Sequence, residues 1–249
     1  MNKPIDIFIL CYKRPQYTRQ TLSYLYKRTG YPFRIFLLIQ DNDLYTNYLI
    51  DHEFKDKIFM RINFSKNIGV HSAWNIALAL TESEYFITSD NDIYVPKLEP
   101  DWLTKLVGFL DERPDYGAIS LHPHVFIGAA GIDPDDSEDV KERNMCGAVM
   151  RIMRRDAVWK AGGWENIIHA GRNHEERTIC LRLQNIGYKV GITSRIRAYH
   201  PFGKDVDKNS GWGYTDFTPE EQGHNPQLKD YVLQFDNPDA YDKDTFLPK

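Results

Sequence analysis

Apolar residues in the first ninety positions fall into short, nearly unbroken runs separated by longer amphipathic stretches. Ile5-Asp6-Ile7-Phe8-Ile9-Leu10 is the first run, Arg34 to Gln40 the second, Lys57 to Asn63 a shorter third, and Tyr85-Phe86-Ile87-Thr88 a fourth. Runs of this length without polar alternation predict strands covered on both faces. Arg14-Pro15 opens a helix to about Arg28, with proline tolerated in its first turn. Another helix lies between the second and third strands. Asn67-Ile68-Gly69 opens a further one, which carries Val70, Ala73, Trp74, Ala77 and Leu80 at helical spacing. Strands alternating with helices predict an α/β domain built on a mostly parallel sheet.

The second half is less regular. A helix near Asp101 to Glu112 and a strand near Tyr116 to Leu121 precede Gly128 to Glu142, whose glycine, aspartate and proline predict a loop. Cys146 to Met153 reads as a return strand. Helices follow near Arg155 to Ala161 and Asn173 to Ile186, then strands near Tyr188 to Gly191 and Arg195 to His200. From Phe202 onward periodicity is lost, and the tail reads as a lid or a wrap.

With 249 residues the chain can form one large domain, or one with an appendage. No apolar run approaches the ~20 residues that span a bilayer. The start leads straight into a strand with no room for a secretion signal, so a cytoplasmic location is expected. Cys11, Cys146 and Cys180 have neither metal-like nor framework-like spacing and read as reduced, packed thiols. A net charge of −4 argues against a nucleic-acid scanner.

Candidate chemistry begins at Asp90-Asn91-Asp92, immediately after the fourth run. Carboxylates there emerge at the carboxyl end of a strand, where open α/β sheets bind ligands. Two of them, two residues apart in extended backbone, point to one side and can hold a hard cation against phosphate oxygens. Asp-x-Asp also occurs at Asp41, Asp133, Asp205 and Asp242, and any copy can instead be a turn in which the side chains bond local amides.

In five ordered segments between Ile5 and His200 the chain resembles the inverting GT-A glycosyltransferases, most closely family 2. They are Ile7 to Pro15, Leu37 to Asp43, Asn67-Ile68-Gly69 with Ala73-Trp74-Asn75, Asp90-Asn91-Asp92, and Ala161-Gly162-Gly163-Trp164-Glu165 with His174-Glu175-Glu176 and Leu181-Arg182-Leu183. Trp74 stands where the family usually has arginine, and Thr178 where another acid is usual. The resemblance implies one catalytic domain over 1–249. Residues 1–92 form its nucleotide-sugar half, 93–201 its acceptor half and 202–249 its C-terminal lid or wrap.

The resemblance also implies the reaction and its residues. A sugar would move from a nucleoside diphosphate sugar, UDP-linked, to an acceptor hydroxyl with inversion. Cys11, Tyr12, Arg14, Asn67, Gly69, Asn75, Asp90 and Asn91 would meet the nucleotide sugar, and Asp41 would read the base edge. Asp92 and His200 would hold Mn²⁺ or Mg²⁺, and Glu176 would be the general base. Glu175 and Trp212 fall on the acceptor side, where the implied partner is a carbohydrate or glycolipid, with protein or a modified nucleobase left open.

Glu176 also has support from its position. Glu176, Ile179, Cys180, Leu183 and Ile186 form one helical stripe, so its carboxylate faces inward from a first turn. Asn173 three residues earlier has capping-box spacing, which would give Glu176 only a backbone amide to satisfy. Trp159 and Trp164 could stack on sugars, but core packing is expected for both. Competing function classes are a retaining transferase or nucleotidyltransferase on a similar sheet, and a noncatalytic module that binds sugars or nucleotide sugars. Cys11 to Pro15 contains no glycine of the kind a nucleotidyltransferase loop needs.

Overall fold

A computed structural model describes residues 3–123, 138–164 and 174–200. One eight-stranded sheet runs through it in the order β3-β2-β1-β4-β7-β5-β8-β6. Its first four strands are β1 (Ile5–Cys11), β2 (Phe33–Ile39), β3 (Met60–Asn63) and β4 (Tyr85–Asp90), and they pair in parallel. Next come β5 (Tyr116–Pro123), β6 (Val140–Arg143), β7 (Arg151–Arg154) and β8 (Lys189–Ala198). β5 and β8 pair in parallel, whereas β7 runs antiparallel to β4 and β5, and β6 antiparallel to β8. The mostly parallel expectation therefore describes the first half, and the second half is mixed.

Alternate residues of the central strands enter two separate cores, which is why their runs lack polar alternation. Ile5, Ile7, Ile9 and Cys11 of β1, with Ile35, Leu37 and Ile39 of β2, face one side. There they meet α1 (Pro15–Arg28) and α4 (Trp102–Glu112) through Leu22, Leu25, Trp102, Leu106 and Leu110. Phe8, Leu10, Phe36, Leu38 and Phe86 face the other side, against α3 (Val70–Leu80), α5 (Arg155–Lys160) and α6 (His174–Asn185). A remaining short helix, α2 (Leu44–Leu49), links β2 to β3 and is capped by Asp43, which accepts from the amides of Tyr45 and Thr46. Trp74, the departure from the family pattern on α3, is fully buried in the second core.

Three expectations for the second half are corrected. The return strand is shorter than Cys146 to Met153, because Met150 takes a left-handed φ of 46° and β7 starts only at Arg151. The end of the expected loop, from Val140 to Glu142, forms β6 together with Arg143 by pairing with β8. The two last strands are one, β8, whose register against β5 shifts between Ser120 and His122. The Thr193 hydroxyl fills that irregularity, accepting from the His122 amide and donating to the Ile196 carbonyl. The proposed tail lid over 202–249 lies outside the described residues.

Candidate active site

Non-glycine residues with left-handed backbone are costly and gather where function over-determines the chain. Among the described residues they are Lys13, Arg14, Asp41, Asn42 and Met150, and all five lie along the carboxyl edge of β1, β2 and β4. The unusual φ of 58° at Arg14 starts α1 and accompanies a guanidinium turned onto Asp92, with Nη1 2.6 Å from Oδ2. On the other oxygen, His200 Nε2 stands 3.3 Å from Oδ1. Asp92 thus lies between a guanidinium and an imidazole, brought by the start of α1 and by the segment after β8.

Electrostatics separate the two aspartates. Burial and the neighbouring Asp92 charge push the Asp90 carboxyl up to about 7. Burial would raise Asp92 as well, but His200 and Arg14 outweigh it and hold that carboxyl below the usual range. Burial disfavours a charged His200, yet the Asp92 carboxylate prevails and raises its imidazole. One carboxylate and one imidazole at ion-pair distance suit a divalent ion that completes its shell with phosphate and water oxygens. Among the described residues, no group of three or more His, Cys, Asp or Glu side chains forms a closed cage.

Glu176 reaches the same place from α6. Its Oε1 accepts from the Ala148 amide at 3.1 Å, and the Ala148 carbonyl accepts from the Asp90 amide at 3.2 Å. One residue therefore links the end of β4 to the first turn of α6. Burial raises the Glu176 carboxyl above its ordinary value and Glu175 adds to the rise, while Arg151, the Ala148 amide and His200 oppose it. The inward stripe holds for Ile179, Cys180 and Leu183, whereas Ile186 lies just past the helix end and is exposed. The capping-box partner Asn173 lies outside the described residues.

Several residues expected to meet a ligand also bond within the protein. Glu175, expected on the acceptor side, is buried, and its Oε1 accepts from Arg151 Nη2 at 2.5 Å and from the Trp164 indole at 2.6 Å. Asn75 clamps Trp164, donating to its carbonyl at 2.7 Å and accepting from its amide at 2.9 Å. Gly163 makes this possible, since at its φ of 65° a β-carbon would lie 2.5 Å from Asn75 Oδ1. Asn91 donates to the Lys13 carbonyl and to Thr18 Oγ1, tying the β4 turn to α1. The Cys11 thiol points into the first core, and burial pushes it up to about 12.

Other expected positions lie at the edge of the sheet. Asp41 is exposed beside the α2 cap. Asn67 accepts from the Gly69 amide, and Gly69 starts α3 with a φ of 79°. Tyr12 is half-buried, with the Lys13 ammonium 5.6 Å from its ring centre. Trp164 packs in the core as expected, but Trp159, at the end of α5, is 51% exposed. Trp212 and the Asp-x-Asp copies at Asp133, Asp205 and Asp242 lie outside the described residues.

Residues 6–162 match the model of glycosyl transferase family 2, which is more than half of the chain. The chain belongs to that family. No curated protein matches it. Similar folds occur in S. aureus TarS residues 1–349 (TM-score 0.62, 15% identity, covering 80% of this chain and 60% of that one) and in the mannosyltransferase PcManGT from Pyrobaculum calidifontis with GDP-Man and Mn²⁺ (0.63, 16%, 82% and 57%). GalNAc-T7 with UDP, GalNAc and Mn²⁺ gives 0.61 at 11% identity, covering 79% of this chain and 43% of the other. The chain spans at most 60% of each of these proteins. The layered sheet described above is the GT-A architecture.

Within this family 2 chain, Gly147, Ala148 and Arg151 stand at the site without belonging to any motif. Their signals are a small-residue pair in an expected strand and a lone charge in the apolar stretch Val149 to Met153. A β-carbon on Gly147 would stand 3.0 Å from Glu176 Oε1, the movable end of a side chain. Gly147→Ala is therefore expected to leave the thermal midpoint nearly unchanged while displacing the Glu176 carboxylate. Turnover should fall about 10- to 100-fold, given how steeply rate depends on placement at the ångström scale. Melting and steady-state rates measured on one preparation test both halves, and wild-type turnover would contradict the second.

Proposed function

We propose that this chain transfers a sugar from a nucleoside diphosphate sugar to an acceptor hydroxyl with inversion at the anomeric carbon. Its main support is Ala148, which ties the acidic end of β4 to Glu176 through its carbonyl and amide. The acceptor oxygen attacks the anomeric carbon, the bond to the diphosphate breaks with its electron pair, and Glu176 takes the hydroxyl proton. Partial burial suits that role, since a base works best with a pKa nearer the working pH than an exposed carboxylate has.

Asp92 and His200 are the groups that would hold Mn²⁺ or Mg²⁺, with Arg14 adding positive charge alongside. A bound ion supplies charge against the diphosphate oxygens as the sugar–oxygen bond breaks. We assign a UDP-linked sugar as donor and a carbohydrate or glycolipid as acceptor. TarS in complex with UDP-GlcNAc and PcManGT with GDP-Man show nucleotide sugars on similar folds, and both PcManGT and GalNAc-T7 are complexed with Mn²⁺. Cys11, Cys146 and Cys180 are free and buried, which fits a reducing cytoplasm. No helix among the described residues is long and apolar enough to cross a membrane.

Incubation with a panel of nucleotide sugars and Mn²⁺, following hydrolysis of each, should single out one UDP sugar; no metal-dependent turnover of any of them would overturn the proposal. The acid side of the pH–kcat profile carries a second prediction. Glu176 must be deprotonated, and its folded pKa is raised, so turnover falls as pH drops through a value above the ordinary carboxylate range. A profile flat down to the usual glutamate pKa would contradict Glu176 as the base.

A further inference from the structure

Arg151 is among the largest fully buried side chains, and its guanidinium reaches three separate segments. Nε donates to Thr88 Oγ1 on β4 at 3.3 Å, Nη1 to the Cys146 carbonyl at 3.4 Å, and Nη2 to Glu175 Oε1 at 2.5 Å. The group also lies 5.7 Å from the Trp164 ring centre, and the indole of that tryptophan donates to the same Glu175 oxygen. Asn75 on α3 fixes the Trp164 backbone in turn. A buried ion pair gives little net stability over an apolar replacement, so stability alone does not account for this one.

This arginine holds a neighbour of Glu176 on each side of its carboxylate's hydrogen bond. Glu175, held by Nη2, precedes Glu176 on the first turn of α6. Cys146, held by Nη1 through its carbonyl, lies two residues before Ala148, whose amide binds the Glu176 carboxylate. We propose that Arg151, paired with Glu175, is a positioning residue for the general base, fixing at once the turn that carries Glu176 and the loop amide that orients its carboxylate. The assignment rests on Glu176 being the base. It gives Glu175 a role inside the protein in place of contact with acceptor hydroxyls. The planar fork of arginine is what the task needs, because a lysine ammonium is a point charge without fixed, divergent donors.

Arg151→Lys keeps the charge beside Glu175 and gives up the fork. The full chain carrying it should stay folded by circular dichroism, keep its KM for the nucleotide sugar, and lose about 10- to 100-fold in kcat, the scale of a base displaced by an ångström. The deciding measurement is a cycle with Glu176→Gln: in that background Arg151→Lys should not lower the residual rate further. Wild-type kcat for Arg151→Lys, or an equal loss with and without Glu176, would make Arg151 a structural group only. If Arg151→Lys does not fold, Glu175→Gln, which removes the charge that Arg151 holds while keeping the shape, enters the same cycle with the same criteria. Wild-type turnover by Glu176→Gln alone would instead defeat the base assignment, an outcome separable from failure of the cycle.

Discussion

Glu176→Gln is expected to lower turnover by about 10²- to 10⁴-fold, the usual contribution of a positioned general base. Binding of the nucleotide sugar and its dependence on metal should survive. The amide is nearly isosteric and its oxygen can still accept from Ala148 N–H, so the first turn of α6 keeps its attachment. What disappears is the group able to take a proton as the acceptor oxygen attacks. The removed charge also sits close to that of Glu175, so its loss relieves repulsion and the fold should be at least as stable. Donor affinity by calorimetry together with single-turnover rates is the required measurement. Turnover within a few-fold of wild type would remove Glu176 from the chemistry.

Asp92→Asn should give a different signature, losing metal response and nucleotide-sugar affinity together. A divalent ion on the diphosphate is worth several kcal/mol of leaving-group stabilisation. At ~1.4 kcal/mol per tenfold, that is on the order of 10³-fold in rate. Asparagine keeps the shape but withdraws the charge that Arg14 and His200 face at 2.6 and 3.3 Å. The His200 imidazole, raised by that carboxylate, should return toward its ordinary value, which histidine proton shifts can follow. Activity that still rises on adding Mn²⁺ to Asp92→Asn would refute the assigned ion site. In the wild-type chain a chelator should mimic the substitution and excess Mn²⁺ should reverse it.

Strands buried on both faces were the easiest part to read, because covering by two helix layers leaves unbroken apolar runs such as Ile35 to Ile39. The placement of Asp90 and Asp92 at a strand end follows from the same runs. The start of β7 is not legible, because the left-handed turn at Met150 leaves no mark in local hydrophobicity. Side-chain direction was harder still. Asn75, Asn91 and Glu175 occupy positions that a family pattern associates with ligands, yet each is committed to a partner between 24 and 89 residues away. Such partners are fixed by how layers meet, which no periodicity encodes. Arg151 carried the most usable hint, since a charge in an apolar strand must find a counter-charge, though its identity stays hidden until the fold is known.

Ala148 places the two ends of the proposed reaction on opposite sides of a single peptide unit's residue, its carbonyl toward β4 and its amide toward α6. The separation between leaving-group site and proton acceptor is then a backbone dimension, insulated from the lengths of surrounding loops. For engineering, acceptor preference should yield to grafts around the core, whereas insertions between Cys146 and Met150 should be tolerated nowhere.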